Sequence, residues 1–408
     1  MRIALWNGSG LDNVGDQLIN AVTRKQLQAR IPEGRFQSFS PWPGPVTPQR
    51  LTIDKKGYWN AHGQFDAIVV GGGALIGGPP FLDPVNQFFL LGPYPERFQD
   101  PALIVWNAMC SDAQTLAPTE ERWRKFVRTA TERVSLLTVR NSRTCSFLRD
   151  CGVTKPIKVV PDVAVLAAEP WDRPQTKGKL RIGFAPGRPV FPENFLEKIA
   201  ANAFSNLGSI NPEVVRIVPY SPDAGFDDHQ YAASLANRLN EIPDADFLLF
   251  GPDSMYGDSI TAALMAQKLD GSTYVPLSDP LGADTISTSR SMDCIIAFRL
   301  HSCIMALMVG TPFIAVDLYR NEITGTSKLH QLMKDAGLES RYLIMDEMVS
   351  QSGRLSHLAQ DAIAQGREPV INAHGRLAAQ ARSHFDALAE TIVNQACAPA
   401  GQACHGLP

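Results

Sequence analysis

Short apolar runs recur along the chain, each closed by a polar or glycine-bearing turn and followed by a helix-length stretch. Ile3–Trp6 is the first run and Asn7–Asp16 its turn; Gln17–Arg30 then sets Leu18, Ile19, Val22 and Leu27 at helical spacing. Asp66–Val70, closed by Gly71-Gly72-Gly73, is the second run. Ala102–Trp106, Leu136–Val139 and Lys158–Val160 continue the series, the last two separated by a helical stretch through Cys145–Cys151. Runs this short and this apolar suit strands covered on both faces. Helices between them are the crossovers that parallel pairing requires.

The polar segment Glu169–Lys179, with two prolines, reads as a linker, and the pattern restarts after it. Leu180–Ala185, Val214–Val218, Asp246–Phe250, Cys294–Phe298 and Phe313–Val316 read as strands. Tyr231–Leu239, Ser259–Leu269 and Ser302–Val309 read as helices between them. Pro41–Pro48 and Gly77–Pro84 read as loops, and Leu355–Ala396 as Ala-rich helix. With 408 residues, of which 44% are apolar, two domains are expected. The expected fold is α/β: two Rossmann-like domains facing across a cleft, 1–170 and 180–345, then a helical segment 346–396 and a tail 397–408. In such sheets ligands bind at the carboxyl ends of the strands, so the strand-end turns are the candidate sites.

Charge narrows the partners. Lys and Arg number 38 and Asp and Glu 41, a net charge of −3, which offers no basic face for nucleic acid. The seven cysteines are scattered without a CxxC pair, which argues against a zinc module or disulfide framework. Met1–Trp6 is too short an apolar stretch for a signal peptide, and no apolar run reaches membrane-spanning length. The expectation is a soluble, cytoplasmic protein for which any contact with a membrane is peripheral and from that side.

The sharpest stretch is Phe298-Arg299-Leu300-His301-Ser302, where an apolar strand delivers an Arg and a His directly into a helix start. Arg offers a planar fork to a carboxylate or phosphate, the helix start offers its N–H groups to the same anion, and His offers a proton. The structural alternative is an ion pair at Arg299 and a backbone contact at His301. Arg140 and Arg143 after one strand, and Arg188 after another, are further strand-end cations. Gly71, Gly72 and Gly73 let backbone approach a ligand, or only relieve packing. Asp16 and Asp162 sit in strand-end turns, as helix or turn caps or as groups that bind or deprotonate a hydroxyl. No HExxH, HxH or DxD set accompanies His301, so no metal is expected, and no GxSxG elbow is present.

The ordered set Gly15-Asp16, Asp66…Gly71-Gly72-Gly73, Arg140…Arg143, Val160-Pro161-Asp162-Val163-Ala164, Phe298-Arg299-Leu300-His301 and Gly310-Thr311-Pro312-Phe313-Ile314 resembles the polysaccharide pyruvyl transferase family over most of residues 1–345. The resemblance implies a glycosyltransferase B-like arrangement. It also implies transfer of a pyruvyl group from phosphoenolpyruvate, as donor substrate and without a cofactor, to a sugar acceptor that is free, lipid-linked or nucleotide-linked. It maps phosphoenolpyruvate binding onto Arg299, Leu300 and His301. On that basis His301 is expected as general acid and Arg299 as anion clamp, with Ser302, Arg140 or Arg188, Tyr319, Lys328 and the glycine turn around the substrates. Asp16 or Asp162 is expected on the acceptor. The chain departs from the family pattern at Val163, where Asp-Pro-Ala is usual. It departs again after Tyr319, where Lys328 follows only nine residues later and the longer loop borders the expected cleft. A nucleotide-sugar glycosyltransferase and a non-catalytic sugar-binding scaffold are the two competing readings.

Overall fold

The computed structural model describes residues 1–6, 14–40, 50–52, 65–71, 74–76, 102–110, 121–132, 134–170, 178–189, 226–251, 257–275, 283–318 and 327–396. The first elements are β1 (Arg2–Trp6), α1 (Val14–Arg30), β2 (Arg35–Ser40), β3 (Arg50–Thr52), β4 (Ala67–Gly71), β5 (Ala74–Ile76) and β6 (Ala102–Cys110). They continue with α2 (Glu121–Glu132), β7 (Leu136–Val139), α3 (Ser142–Asp150) and β8 (Lys158–Val159). A 3-10 turn, Val163–Leu166, leads to β9 (Leu180–Ala185), α4 (Asp228–Leu239), β10 (Ala245–Leu249), α5 (Asp258–Ala266) and β11 (Ser272–Tyr274). Next come α6 (Ala283–Arg290), β12 (Cys294–Ala297), α7 (Leu300–Val309), β13 (Phe313–Asp317), α8 (Lys328–Ala336) and β14 (Tyr342–Ile344). Then α9 (Met345–Ser350), α10 (Arg354–Gln365) and α11 (Glu368–Ala396) complete the described chain.

Both sheets are parallel throughout their described ladders, and the fold class is the expected α/β, Rossmann-like one. The first sheet runs β3-β2-β1-β4-β6-β7-β8, with β5 pairing to β6 off that path. The second runs β11-β10-β9-β12-β13-β14. In each, the strand order reverses once, at β1/β4 and at β9/β12. The loops leaving the two strands of such a reversal run to opposite faces, which opens a crevice at their carboxyl ends. In the second sheet those ends are Ala185 and Ala297, aligned with each other in the ladder. The residues that follow are Pro186-Gly187-Arg188 and Phe298-Arg299.

Several sequence readings change. Helix α1 starts at Val14, so Gly15 and Asp16 belong to its first turn instead of the loop before it. The polar alternation of Arg35-Phe36-Gln37-Ser38 hides β2, which pairs with β1 residue for residue. Strand β6 extends to Cys110, and the helical stretch from Leu355 is broken at Gly366-Arg367, with Pro369 in the first turn of the new helix. The expected strand Val214–Val218 and the loops Pro41–Pro48 and Gly77–Pro84 lie outside the described residues.

By its contacts the chain divides into two units: Met1–Gly8, Asn20–Val160 and Gln380–Pro408 form one, Ser9–Ile19 and Pro161–Ala379 the other. The sequence pattern puts the division ten residues later, at the polar linker. The contacts also assign the start of α1 to the second unit and the end of α11 to the first.

The second unit's core lies between its sheet and the helices on one face. Phe184 and Phe298 meet edge to face at 5.4 Å, over Leu235, Leu239, Met265, Leu355 and Leu358. Helix α7 is different: every residue from Ser302 to Val309 is buried. A helix apolar all round is a core helix, and only its first turn is polar. At its other end Gly310 takes φ 73°, and a side-chain carbon there would come within 3.0 Å of Ile371 and Pro170. An L-residue in that conformation costs roughly 1–2 kcal/mol before any crowding. Gly310→Ala is therefore expected to lower the unfolding free energy by at least that amount, read as a lower denaturation midpoint; an unchanged midpoint would show that α7 ends equally well without glycine.

Candidate active site

Strand β9 ends in the turn that carries Arg188, and β12 ends in the turn that carries Arg299, so the strand-order reversal brings the two cations together. Both guanidinium groups are engaged. Arg299 donates from Nε and Nη2 to the two carboxylate oxygens of Asp258, at 2.9 and 2.7 Å, and from Nη2 to the Arg188 carbonyl at 3.1 Å. The Asp258 side chain is fully buried, and its Oδ1 also accepts the Arg188 backbone N–H at 2.9 Å. Arg188 in turn forks onto Asp228 at 2.7 and 3.0 Å, with its guanidinium 5.0 Å from the centre of the Phe226 ring. The Tyr231 hydroxyl donates to the Gly187 carbonyl at 2.7 Å and holds the same turn from α4. Fork-on-fork pairs of this kind fix orientation as well as charge. The structural alternative for Arg299, an ion pair, is thus realised; the carboxylate that makes it went unread in the sequence.

The four charges of this network, two guanidinium and two carboxylate, cancel. The first turn of α7 has a different character. Its N-cap is Arg299, which makes no side-chain cap hydrogen bond. Among the described residues the hydroxyl of Ser302 is buried without a hydrogen-bond partner, and the same holds for Nε2 of His301. An unpaired buried polar atom is costly and calls for a specific cause. Here two such atoms sit on adjacent residues at a helix N-terminus, where the amides and helix dipole favour an anion. The rest of the helix is apolar, so the polarity is confined to this turn.

Asp162 approaches the same turn. It caps the 3-10 turn with Oδ1, which accepts the Ala164 N–H at 2.9 Å, and its Oδ2 lies 3.6 Å from Nε2 of His301. Its cap role and its place beside His301 coexist. Leu300 is buried at the start of α7. Lys328 opens α8, where the Ser327 hydroxyl accepts the His330 N–H at 3.1 Å. That hydroxyl also donates to Asp317, which accepts the Tyr342 hydroxyl at 2.7 Å as well. Burial, with the Asp317 charge next, pushes the Tyr342 hydroxyl well above its ordinary range. Asp317, at the carboxyl end of β13, is thereby held by two hydroxyls as a fixed anchor for α8.

The remaining expected site residues fall in the first unit or outside the described residues. Arg140 is buried at the end of β7, in the first unit. Gly71 ends β4, opposite Trp106 of β6. Gly72, Gly73 and Tyr319 lie outside the described residues, as does the side chain of Asp16. Among the described residues no cluster of three His, Cys, Asp or Glu side chains suits a metal ion. No helix among them is long and apolar enough to cross a membrane.

Asp258 and Asp228 are the functional-site residues that sequence reading missed. A signal existed for Asp258: it opens the helix that follows β10, the strand paired with β9. A carboxylate at a neighbouring strand's exit is a ready partner for a strand-end Arg.

Comparison with known proteins extends these observations. The family profile described as polysaccharide pyruvyl transferase matches residues 13–318. No curated protein matches the sequence. Among solved structures, a Listeria monocytogenes protein assigned as a UDP-N-acetylglucosamine 2-epimerase superposes with a TM-score of 0.50 at 11% identity, over 95% of this chain and 97% of its own. At that identity the likeness is one of fold. Thermobaculum terrenum O-GlcNAc transferase (TM-score 0.46, 12% identity, 97% of this chain and 68% of its own) is also similar. So is Acinetobacter baumannii MurG (0.45, 12%, 96% and 99%).

Proposed function

The chain belongs to the polysaccharide pyruvyl transferase family, and on that premise we propose that it moves the pyruvyl group of phosphoenolpyruvate onto two hydroxyls of a sugar in a polysaccharide or glycan precursor, closing a pyruvate ketal. The observation that carries this reading is the polar first turn of α7, which sets the His301 imidazole and the Ser302 hydroxyl at a helix N-terminus beside a firmly held Arg. Phosphoenolpyruvate bears two anionic groups on one enol carbon and needs a proton on its methylene carbon. The site offers amides, a hydroxyl, a guanidinium and an imidazole within one stretch of four residues.

In the first step the methylene carbon takes a proton from His301, and its double-bond electrons form the new C–H bond. The adjacent carbon becomes oxocarbenium-like and is attacked by the first sugar hydroxyl, which loses its proton. The C–O bond to phosphate breaks, with the electron pair leaving on phosphate. The second hydroxyl adds to the same carbon, loses its proton and closes the ketal. Each step is proton transfer, addition or elimination, so the protein has to position two substrates and stabilise charge. Arg299 and the α7 amides serve the donor anion. The proposal places the reaction in the cytoplasm and leaves no step to a cofactor.

The test is a phosphate-release assay with phosphoenolpyruvate over a panel of free, nucleotide-linked and lipid-linked sugars, with product mass as the second readout. Phosphate release coupled to a pyruvyl mass gain is the expected result. Inertness toward phosphoenolpyruvate with turnover of a nucleotide sugar would overturn the proposal in favour of glycosyl transfer. Neither turnover nor a thermal shift with either donor would leave a binding scaffold.

A further inference from the structure

We propose that Gly15 and Asp162 form a two-sided seat for His301, which leaves Nδ1 as the atom that gives up the proton and keeps Nε2 protonated toward Asp162. This rests on the reading of His301 as general acid. Three observations lead to it.

The first is steric. A side-chain carbon built on Gly15 would fall 1.8 Å from Nδ1, 2.0 Å from Cε1 and 2.1 Å from Cγ of His301. Three ring atoms at nearly one distance mean that the imidazole lies with its face against the Gly15 backbone. No L-side chain fits there without moving the ring. Gly15 sits in the first turn of α1, where glycine is a poorer helix former than alanine. Its backbone is not in the left-handed region, so the helix itself gives no reason for a glycine at this position. The space it leaves is filled by His301. Gly15, His301 and Asp162 all fall within the second unit.

The second is the state of Nε2. It is shut off from solvent, and a substrate cannot reach it in this arrangement. Oδ2 of Asp162 lies 3.6 Å from it, long for a hydrogen bond but within ionic range. Such contacts are often long in the unliganded enzyme and tighten with substrate bound.

The third is that Asp162 is itself anchored. Its Oδ1 caps the Val163–Leu166 turn, and the first half of α11 is tied to that turn through His374, whose Nε2 lies 2.8 Å from the Val165 carbonyl. The carboxylate therefore has a fixed direction.

Together these set the proton's path. The bond that breaks is Nδ1–H and the bond that forms is C–H on the methylene carbon. The imidazolium returns to neutral imidazole as the Nε2–H tautomer, with Asp162 as acceptor. Which nitrogen of a histidine keeps its proton is set by the partner of the other. Asp162 is thus a positioning residue.

The experiment uses the full chain with 15N-labelled histidine. Two-bond 15N–1H correlation spectra report the tautomer, and the His301 signal is identified by its loss in His301→Gln. The wild type is expected to show the neutral ring as Nε2–H. Asp162→Asn keeps a capping oxygen for Ala164 but removes the charge. It is expected to populate the Nδ1–H form and lower kcat by about tenfold or more, within the range for general acid catalysis, with KM for phosphoenolpyruvate little changed. Gly15→Ala is expected to shift the His301 resonances and lower kcat in the same way. A wild-type Nδ1–H tautomer, or His301 signals and kcat unmoved in both variants, would overturn the seat. The tautomer needs no turnover to be read. A wild type that fails to use phosphoenolpyruvate would defeat the functional reading and leave the seat to be judged by the spectra alone.

Discussion

Replacing His301 by alanine or glutamine is expected to remove about 10²–10⁴-fold of the turnover with phosphoenolpyruvate, the usual contribution of a positioned general acid. Stability should change little. The imidazole packs on the Gly15 backbone, and among the described residues its Nε2 makes no hydrogen bond to lose. Removing it even relieves a buried unsatisfied nitrogen, which offsets the packing it gives up. The comparison to make is kcat against KM for the donor, with the urea midpoint as control. If His301 acts on the proton alone, kcat falls and KM stays near its wild-type value, since an interaction made only in the transition state has been lost. A fall in donor affinity with unchanged kcat would make His301 a binding group. Near-full activity would put proton delivery on another residue.

The fold was legible where local pattern sufficed. Cys294–Ala297 is apolar throughout and Phe313–Asp317 at every position but the last, and such runs declare buried parallel strands. Strand β2 was not legible, because Arg35, Gln37 and Ser38 interrupt the apolar pattern and its pairing with β1 is a long-range fact. The site divides in the same way. The strand-end Arg and His are visible in one short stretch, since strand, turn and helix start are all local. Their partners are not. Asp258 reaches Arg299 from 41 positions away, and Gly15 meets His301 across most of the chain. Only the order of the strands brings those exits together, and no local pattern encodes that order. The net charge of −3 was silent as well, because the Arg188, Arg299, Asp228 and Asp258 charges cancel within the network itself.

Arg299→Ala is expected to destabilise the second unit by roughly 3–5 kcal/mol, the cost of leaving one member of a buried pair without the other. The reason lies with Asp258. Its side chain is fully buried, and the guanidinium supplies two of its three hydrogen bonds among the described residues. That loss would by itself abolish activity and say nothing of donor binding, so two further variants separate the roles. Arg299→Lys keeps the charge beside Asp258 but loses the planar fork. It is expected to weaken phosphoenolpyruvate binding, read by calorimetry, with a smaller loss of stability than Arg299→Ala. The double variant Arg299→Met with Asp258→Leu replaces the pair by apolar side chains, a change that is often neutral for a buried ion pair. It is expected to recover most of the lost stability and none of the donor affinity. Recovery of both would show that the pair is scaffolding and that the α7 amides bind the donor without Arg299. Recovery of stability alone gives Arg299 a second role, in which Asp258 aims the guanidinium and the donor anion uses the aim.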